Sequence, residues 1–417
     1  MSKSDIVILR GREATAGTFP SGTLYELAGT GFQVSSPTER TQNTDAYYDG
    51  QPRDHPATGT TDSTSYTMGS KPTRHGDRVA LLEEVFQRTS DAPIEISADI
   101  EEVQSGNLLR RSSGWGDLRP GMAVYVRPGD ASIHLLRILS ISGNDAAVDP
   151  DYLTIGADAA PAAGALRQGR RFTPGLEDLY SSWVSWDRRA QRGHRWGWGV
   201  TESLQISASG QSPFTEQISI QLGRRYPDLK KDDALGAIED VLPNTIEYAG
   251  TSSQFDMVTH LGDRLHPAAG FGVRFDGTVL DSLFLQALDL TIRRPARRDR
   301  GGGRGFGADR IEREGEWDVM FSTTFLAQSQ WAEEQLDDIE EAAKSPTASA
   351  SWSFGWRNST GDRRTVHLPS CLGTGVQRDG RDKSGPVTVK TDWKPRVDPA
   401  GRHAIVELMD FAAIASF

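Results

Sequence analysis

Apolar and polar residues alternate with a period of two along much of this chain, and long helical periodicity is rare. The clearest run is Trp317-Asp318-Val319-Met320-Phe321-Ser322-Thr323-Thr324-Phe325. Apolar residues or Thr stand on one side throughout, which predicts a half-buried β-strand. Ser203–Ser207, Gln217–Leu222 and Val387–Val389 follow the same pattern. One-sided alternation predicts antiparallel sheets with one face on a core and the other exposed. Two stretches keep helical spacing instead. The first starts at Asp77, a good N-cap, and runs to about Arg88 with Val79, Leu82 and Phe86 on one face. The second follows Ser329, with Ala332, Leu336, Ile339 and Ala343 in line. Glu333 and Glu334 lie in its first turn, Lys344 in its last, and Pro346 stops it.

Both helices have the same surroundings. Before the first come a strand (Leu24 to Val34), a long polar loop (Ser35 to Asp62) and a strand through Tyr66 and Met68. Before the second come a strand (Leu288 to Ile292), a long polar loop (Arg293 to Glu316) and the Trp317–Phe325 strand. Each copy ends in a strand, a turn and a return strand, His194 to Leu222 in one and Arg364 to Trp393 in the other. The order predicts an internal duplication. Gln104 to about Leu166 is extra material in the first copy: short strands broken by Gly, Pro and Asn turns, as in a small β-barrel. Asp228 to Tyr248 reads as a polar, helix-compatible connector. The resulting division is an N-terminal arm (1–20), a first domain (21–103 plus 167–227), the insertion (104–166), a connector (228–264) and a second domain (265–417). The fold class is mainly β (α+β).

Composition narrows the function classes. The 417 residues carry 57 acidic and 46 basic side chains, a net charge of −11. Such a chain repels phosphate on average, whereas overall phosphate-grippers are basic. With a single cysteine, Cys371, no internal disulfide or cysteine-built zinc site is possible. The apolar run Ile6–Leu9 is too short for a signal-peptide core, and nothing approaches the ~18 apolar residues of a membrane span.

Catalytic constellations are missing from the sequence. No two of the eight histidines stand at metal-ligand spacing, and no nucleophile elbow, P-loop or dinucleotide fingerprint is present. Cys371, in Pro369-Ser370-Cys371-Leu372, has no nearby base and reads as a small buried hydrophobe. Gly301-Gly302-Gly303-Arg304-Gly305-Phe306-Gly307 lies between strands and lacks the Lys-Ser/Thr of a phosphate cradle, so it reads as a hairpin tip. Trp183, Trp186, Trp196 and Trp198 are candidate stacking platforms for a sugar or base, with a core or interface role as the commoner fate. The expectation is no enzyme: no catalytic, cofactor-binding or metal-ligating residues, and no cofactor.

Taken together, the Leu24-Tyr25-Glu26-Leu27 to Val34 strand with its long loop, the Leu118–Val126 to Leu153–Ile155 insertion, the Arg171-Phe172-Thr173 to Gln221 segment and the closing Val366-His367-Leu368-Pro369 strands resemble the major tail tube proteins of long-tailed (siphovirus-type) bacteriophages. The resemblance is to the larger type, with two tandem tube domains, and covers about Thr23 to Phe411. It implies two β-sandwich or barrel domains, each flanked by one helix. It further implies a structural virion protein that assembles in the host cytoplasm into homotrimeric, pseudo-sixfold rings. The rings stack into the conduit for DNA ejection. Partners implied are other copies of the chain, tail terminator and distal tail proteins at the tube ends, and the tape measure protein and later DNA in the lumen, without a membrane. The two long loops then suit ring-to-ring contact, with Tyr47, Tyr48, Arg297, Arg298, Arg300, Arg304 and Phe306 as contact residues. The alternative from another class is a carbohydrate-binding, adhesin-like β-sandwich protein resting on the tryptophans.

Overall fold

Strands dominate the chain, and two helices lie against them. The computed structural model describes residues 6–27, 30–35, 42–48, 51–54, 63–67, 76–100, 102–104, 108–127, 134–148, 164–209, 214–223, 225–230, 238, 241–248, 273–276, 278–280, 283–299, 310–313, 315–357, 363–379, 386–397 and 404–411.

In the first half the elements are β1 (Ile6–Arg12), β2 (Thr30–Ser35), β3 (Gln42–Tyr48), β4 (Gln51–Asp54), β5 (Ser63–Thr67), helix α1 (Gly76–Phe86), β6 (Ser181–Asp187), β7 (Arg192–Ser209), β8 (Thr215–Gln221) and β9 (Arg225–Lys230). In the second half they are β10 (Arg274–Phe275), β11 (Phe284–Arg293), β12 (Ala296–Asp299), β13 (Arg310–Arg313), β14 (Asp318–Ala327), helix α2 (Gln330–Lys344), β15 (Ala350–Arg357), β16 (Arg363–Asp379), β17 (Val387–Pro395) and β18 (Glu407–Phe411). Each strand of the first half has its counterpart nine labels later. The pairs β2–β5, β5–β8, β8–β7, β7–β6, β7–β9 and β6–β1 recur as β11–β14, β14–β17, β17–β16, β16–β15, β16–β18 and β15–β10, all antiparallel.

The register repeats as well. Gln33, Ser65, Ser219 and Ser203 form one cross-strand row in the first half. Asp289, Ser322, Asp392 and Gly375 form its equal in the second. A bulge interrupts β7 between Thr201 and Ser203, and another interrupts β16 between Gly373 and Gly375. Bulges bend a strand. Around each bend the long strand changes partners, from β6 and β9 to β8, or from β15 and β18 to β17.

The two halves are joined edge to edge. β7 pairs with β11 from Ser203↔Arg293 to Ser209↔Ala287. One curled wall results, in the order β2-β5-β8-β7-β11-β14-β17-β16. Alternation aims one face of this wall inward, as in β14, where Val319, Phe321, Thr323 and Phe325 are buried. Length suggests a separate core for each half, yet Leu204, Ile206 and Ile218 share one continuous core with Leu288, Leu290 and Phe321. The β7–β11 pairing leaves no polar seam at which that core could divide.

Helix α2 covers the buried face through Ala332, Leu336, Ile339 and Ala343. Ser329 caps it, its Oγ accepting from the Ala332 N–H at 3.2 Å. Gly373 lets its last turn approach β16, since a Cβ there would lie 2.0 Å from the Ala343 carbonyl oxygen. Helix α1 packs on β7 through Leu81, Leu82, Val85 and Phe86. It also buries Glu84, which pairs with the fully buried Arg10 of β1; the apolar periodicity gave no sign of this ion pair.

The inserted material is a second, seven-stranded sheet with its own core of Ile96, Leu109, Val124, Leu136, Ile138 and Leu166. Its first strand starts at Ile94 and pairs with its last, Ile94 facing Gln168, so entry and exit lie side by side. At its root Arg171 is bonded to Asp91 at 3.0 Å and to Glu407 of β18 at 2.8 Å.

Three local expectations change. The Leu24–Val34 strand is two strands, Leu24–Glu26 and β2. Both "polar loops" contain antiparallel hairpins, β3–β4 and β12–β13. The connector contains no α-helix among its described residues; β9 runs to Lys230, and Ile238 and Leu242 pack beneath β1 with Val7, Leu9 and Trp186.

Candidate functional site

Among the described residues, the wall has two strand edges without a partner and one bare face. Among the described residues, β2 pairs only with β5. The last part of β16, Thr374–Asp379, pairs with β17 on one side and with no strand on the other. Open strand edges present backbone donors and acceptors in a row and invite another strand. These two edges stand at opposite ends of the wall. Their counterparts, β11 and the last part of β7, already pair with each other inside the chain. The unpartnered edges are therefore two halves of a joint that the molecule forms once internally.

That internal joint carries side-chain bonds on the bare face. Gln205 Nε2 donates to Asp289 Oδ2 at 2.6 Å, and Arg293 Nη2 bonds Glu202 Oε1 at 2.7 Å. Around them the face is hydroxyl- and amide-rich, with Gln217, Ser219, Ser203, Ser207, Thr291, Ser322 and Thr324. Carboxylates of Asp289, Asp318 and Asp392 alternate with Lys390 and Lys394, leaving no contiguous cationic strip for phosphates. Asp289, Asp318, Met320, Asp392 and Lys394 line a shallow groove of about 390 Å³ there.

The hairpins form arms. Arg297 faces Glu312 and Arg298 faces Ile311 across β12–β13, while Tyr47 faces Pro52 and Tyr48 faces Gln51 across β3–β4. Arg300, Arg304 and Phe306 lie outside the described residues. The root of the second arm folds over the first half. Ile311, fully buried, and Ala296 pack with Val200, Tyr180 and Trp198. Arg313 donates from Nη1 to the Glu84 carbonyl at 2.9 Å, and burial pushes its pKa down to about 10. Arg294 donates to the Gln87 side chain at the end of α1. Ile311, a lone aliphatic residue in a charged stretch, was the one sequence signal for this docking.

The other candidates are structural. Trp183, Trp186 and Trp196 are buried in the core and offer no stacking platform, while Trp198 is half-buried and packs edge-on to Tyr180. Ser353 Oγ lies 2.9 Å from His367 Nδ1, and Glu407 faces His367 in register, an order suggestive of hydrolases. All three are buried within the β15–β16–β18 layer. Burial pushes the Cys371 thiol well above its ordinary range, the opposite of an activated nucleophile. Among the described residues no group of three or more His, Cys, Asp or Glu is placed to hold a metal ion.

No protein-family model matches the chain, and no curated protein matches it.

Proposed function

We propose that this chain is a structural subunit that closes head to tail into rings, which stack into a tube, as the major tail tube proteins of long-tailed phages do. The single observation carrying this reading is the β7–β11 joint, an edge-to-edge union whose two counterpart edges, β16 and β2, are left open. Repeating the joint between chains pairs Gln377 with Ser35 and Asp379 with Gln33 of the next copy, as Gln205 pairs with Thr291 and Ser207 with Asp289. A repeated heterologous joint closes a ring when its rotation divides a full turn. With two repeats per chain, three chains give a pseudo-sixfold ring. Closure removes both open edges.

The helices and core pack on one face of the wall, so the bare hydroxyl-rich face lines the lumen. A surface of Ser, Thr and Gln with interspersed carboxylates lets DNA pass without the phosphate neutralisation that would hold it. Arg300, Arg304 and Phe306, outside the described residues, are assigned by this reading to contact with the adjacent ring.

Sedimentation velocity and negative-stain imaging of the concentrated protein test this reading. Rings of three chains, alone or stacked, are expected. A protein that stays monomeric at every concentration, or rings with sixfold symmetry of whole chains, would overturn it.

A further inference from the structure

We infer that the β3–β4 arm of each chain clamps the second half of the neighbouring chain in the same ring, on a platform formed by Ser349, Ser370, Leu372, Arg396 and Val397. The inference rests on the ring reading above and adds a contact that sheet continuation alone does not require.

The argument starts from the arm whose landing place is visible. β12–β13 leaves the wall at β11, crosses to the adjoining first half and lies over Tyr180, Trp198 and Val200. The repeat locates the corresponding place in the second half. Ser181 faces Gly199 at the end of the β6–β7 ladder, and Ala350 faces Cys371 at the end of the β15–β16 ladder. Tyr180, Trp198 and Val200 therefore correspond to Ser349, Ser370 and Leu372. The contact between the first two persists with changed chemistry. The Tyr180 and Trp198 rings meet at 6.1 Å, whereas the Ser349 and Ser370 hydroxyls hydrogen-bond at 2.6 Å.

No described segment covers this platform. Val200 is 0% exposed beneath its arm, while Leu372 is partly open and Val397, next in sequence to Arg396, is 52% exposed. Arg396 donates its backbone N–H to the Ser370 carbonyl, and its buried Nε has no hydrogen-bond partner. Among the described residues, no counterpart of β12–β13 lies over this place.

The β3–β4 arm has the matching construction. Twenty-seven residues (36–62) separate Ser35 from Ser63, and twenty-eight (292–319) separate their counterparts Thr291 and Met320. Gln42 faces Asp54 in one arm where Arg298 faces Ile311 in the other. Asp54 thus takes the register position of Ile311. The residue types at the matching register position follow their floors: aliphatic where the floor has two aromatic rings, acidic where it has two serines and an arginine.

The arm's own chain does not offer the platform. β2 and β16 stand at opposite ends of the wall, separated by seven strand spacings, roughly 34 Å along the sheet at ~4.8 Å each. β12–β13 reaches its floor because β11 and β7 are neighbours. For β2, the neighbour in that position is β16 of the next copy.

The test is an engineered cross-link in the full chain. Asp54→Cys combined with Leu372→Cys places thiols where Ile311 and Val200 meet in the first half, and the native Cys371 is buried. The pair Val200→Cys with Ile311→Cys is the intrachain control for the geometry. After mild oxidation of assembled protein, non-reducing electrophoresis should show linked species up to the number of chains in one ring, and neither single variant should show them. Rings visible by negative stain without the cross-link, while the control closes, would place the arm elsewhere and leave the ring reading intact. Ladders longer than one ring would assign the arm to ring stacking and overturn the clamp. Absence of rings from the parent protein would remove both. A charge exchange gives an independent measurement: Asp54→Arg or Arg396→Glu alone should lower the ring fraction several-fold, and the two together should restore it. Failure of the pair to restore rings would count against the contact.

Discussion

Trp183 and Trp352 hold the same position in the two halves of the chain, each fully buried, but their cross-strand partners differ. Arg10 faces Trp183, its guanidinium carbon 5.9 Å from the ring, and Phe275 faces Trp352 with ring centroids 4.9 Å apart. One slot in the repeat is thus filled by an ion pair with Glu84 beneath a tryptophan, and the other by an aromatic stack. The backbone pattern is kept while the chemistry inside it has diverged.

Trp352 also touches Phe321, Phe325 and Trp393, so truncation would open a large void. Trp352→Ala should cost about 3–5 kcal/mol, read as a lower denaturant midpoint at constant slope. Because the core is continuous across the halves, unfolding should remain a single transition. Two separated transitions would show that the halves melt independently.

Arg10→Phe copies the residue found in the second half but strands the Glu84 carboxylate in a dry site. The loss should be about 3–5 kcal/mol, as for other broken buried pairs. Adding Glu84→Leu should recover most of it, to within about 1–2 kcal/mol of the parent. A double variant as unstable as the single one would mean that Arg10 acts mainly through packing.

Glu407 supplies a pH dependence. Burial pushes its carboxyl up, but the Arg171 charge and hydrogen bond outweigh burial and hold it below the ordinary value. A carboxyl depressed in the folded state binds fewer protons there than when unfolded. Its contribution is present above the unfolded carboxylate range, near pH 4.3, and is lost as pH falls through the depressed value. Melting followed from pH 7 to pH 3 should show this loss, and Glu407→Gln should have a smaller slope. An unchanged slope would assign the acid sensitivity to other groups.

Much of the fold is readable from residue patterns, and the unreadable parts have physical causes. Strand β14 and helix α2 are plain because each obeys one period and one buried face. The hairpins inside the polar segments are not, since β3–β4 and β12–β13 use charged and polar residues in strands that never form a core. Arg10 and Glu84 are invisible for a different reason: burial of a charge is decided by a partner far away in sequence, here 74 residues between Arg10 and Glu84. The candidate site was legible only in outline. Its edges depend on which strand lacks a neighbour, a property of the whole sheet and not of any one segment.

The second sheet should be removable. Replacing residues 94–168 by a short Gly-Ser link joins two chain ends already paired at Asp91 and Arg171. The shortened protein should fold and form rings, with a modest loss because Glu407 gives up the Ala123 backbone N–H. Folded protein unable to form rings would give this sheet a role in assembly.

Charge on the second arm should affect stacking more than folding. Changing Arg297, Arg298, Arg300 and Arg304 to Ser should leave ring formation intact and reduce tube length, and added salt should do the same to the parent. Exposed pairs contribute roughly 0–1 kcal/mol each, so the effect depends on repetition around the ring. Tubes of normal length from the variant would exclude these residues from ring-to-ring contact.

β7 and β16, 18 and 17 residues long, each pass through a bend from one layer of the structure into the wall. A load that tends to peel the wall from the layer behind it is therefore carried by covalent backbone at both bends. Sliding one strand along its neighbour, by contrast, strains every ladder hydrogen bond between them at once, and such bonds share the force. The weakest direction is a pull at right angles to the strands, which opens the ladders one bond at a time. A closed ring built from this unit would therefore yield first to a load acting at right angles to its strands.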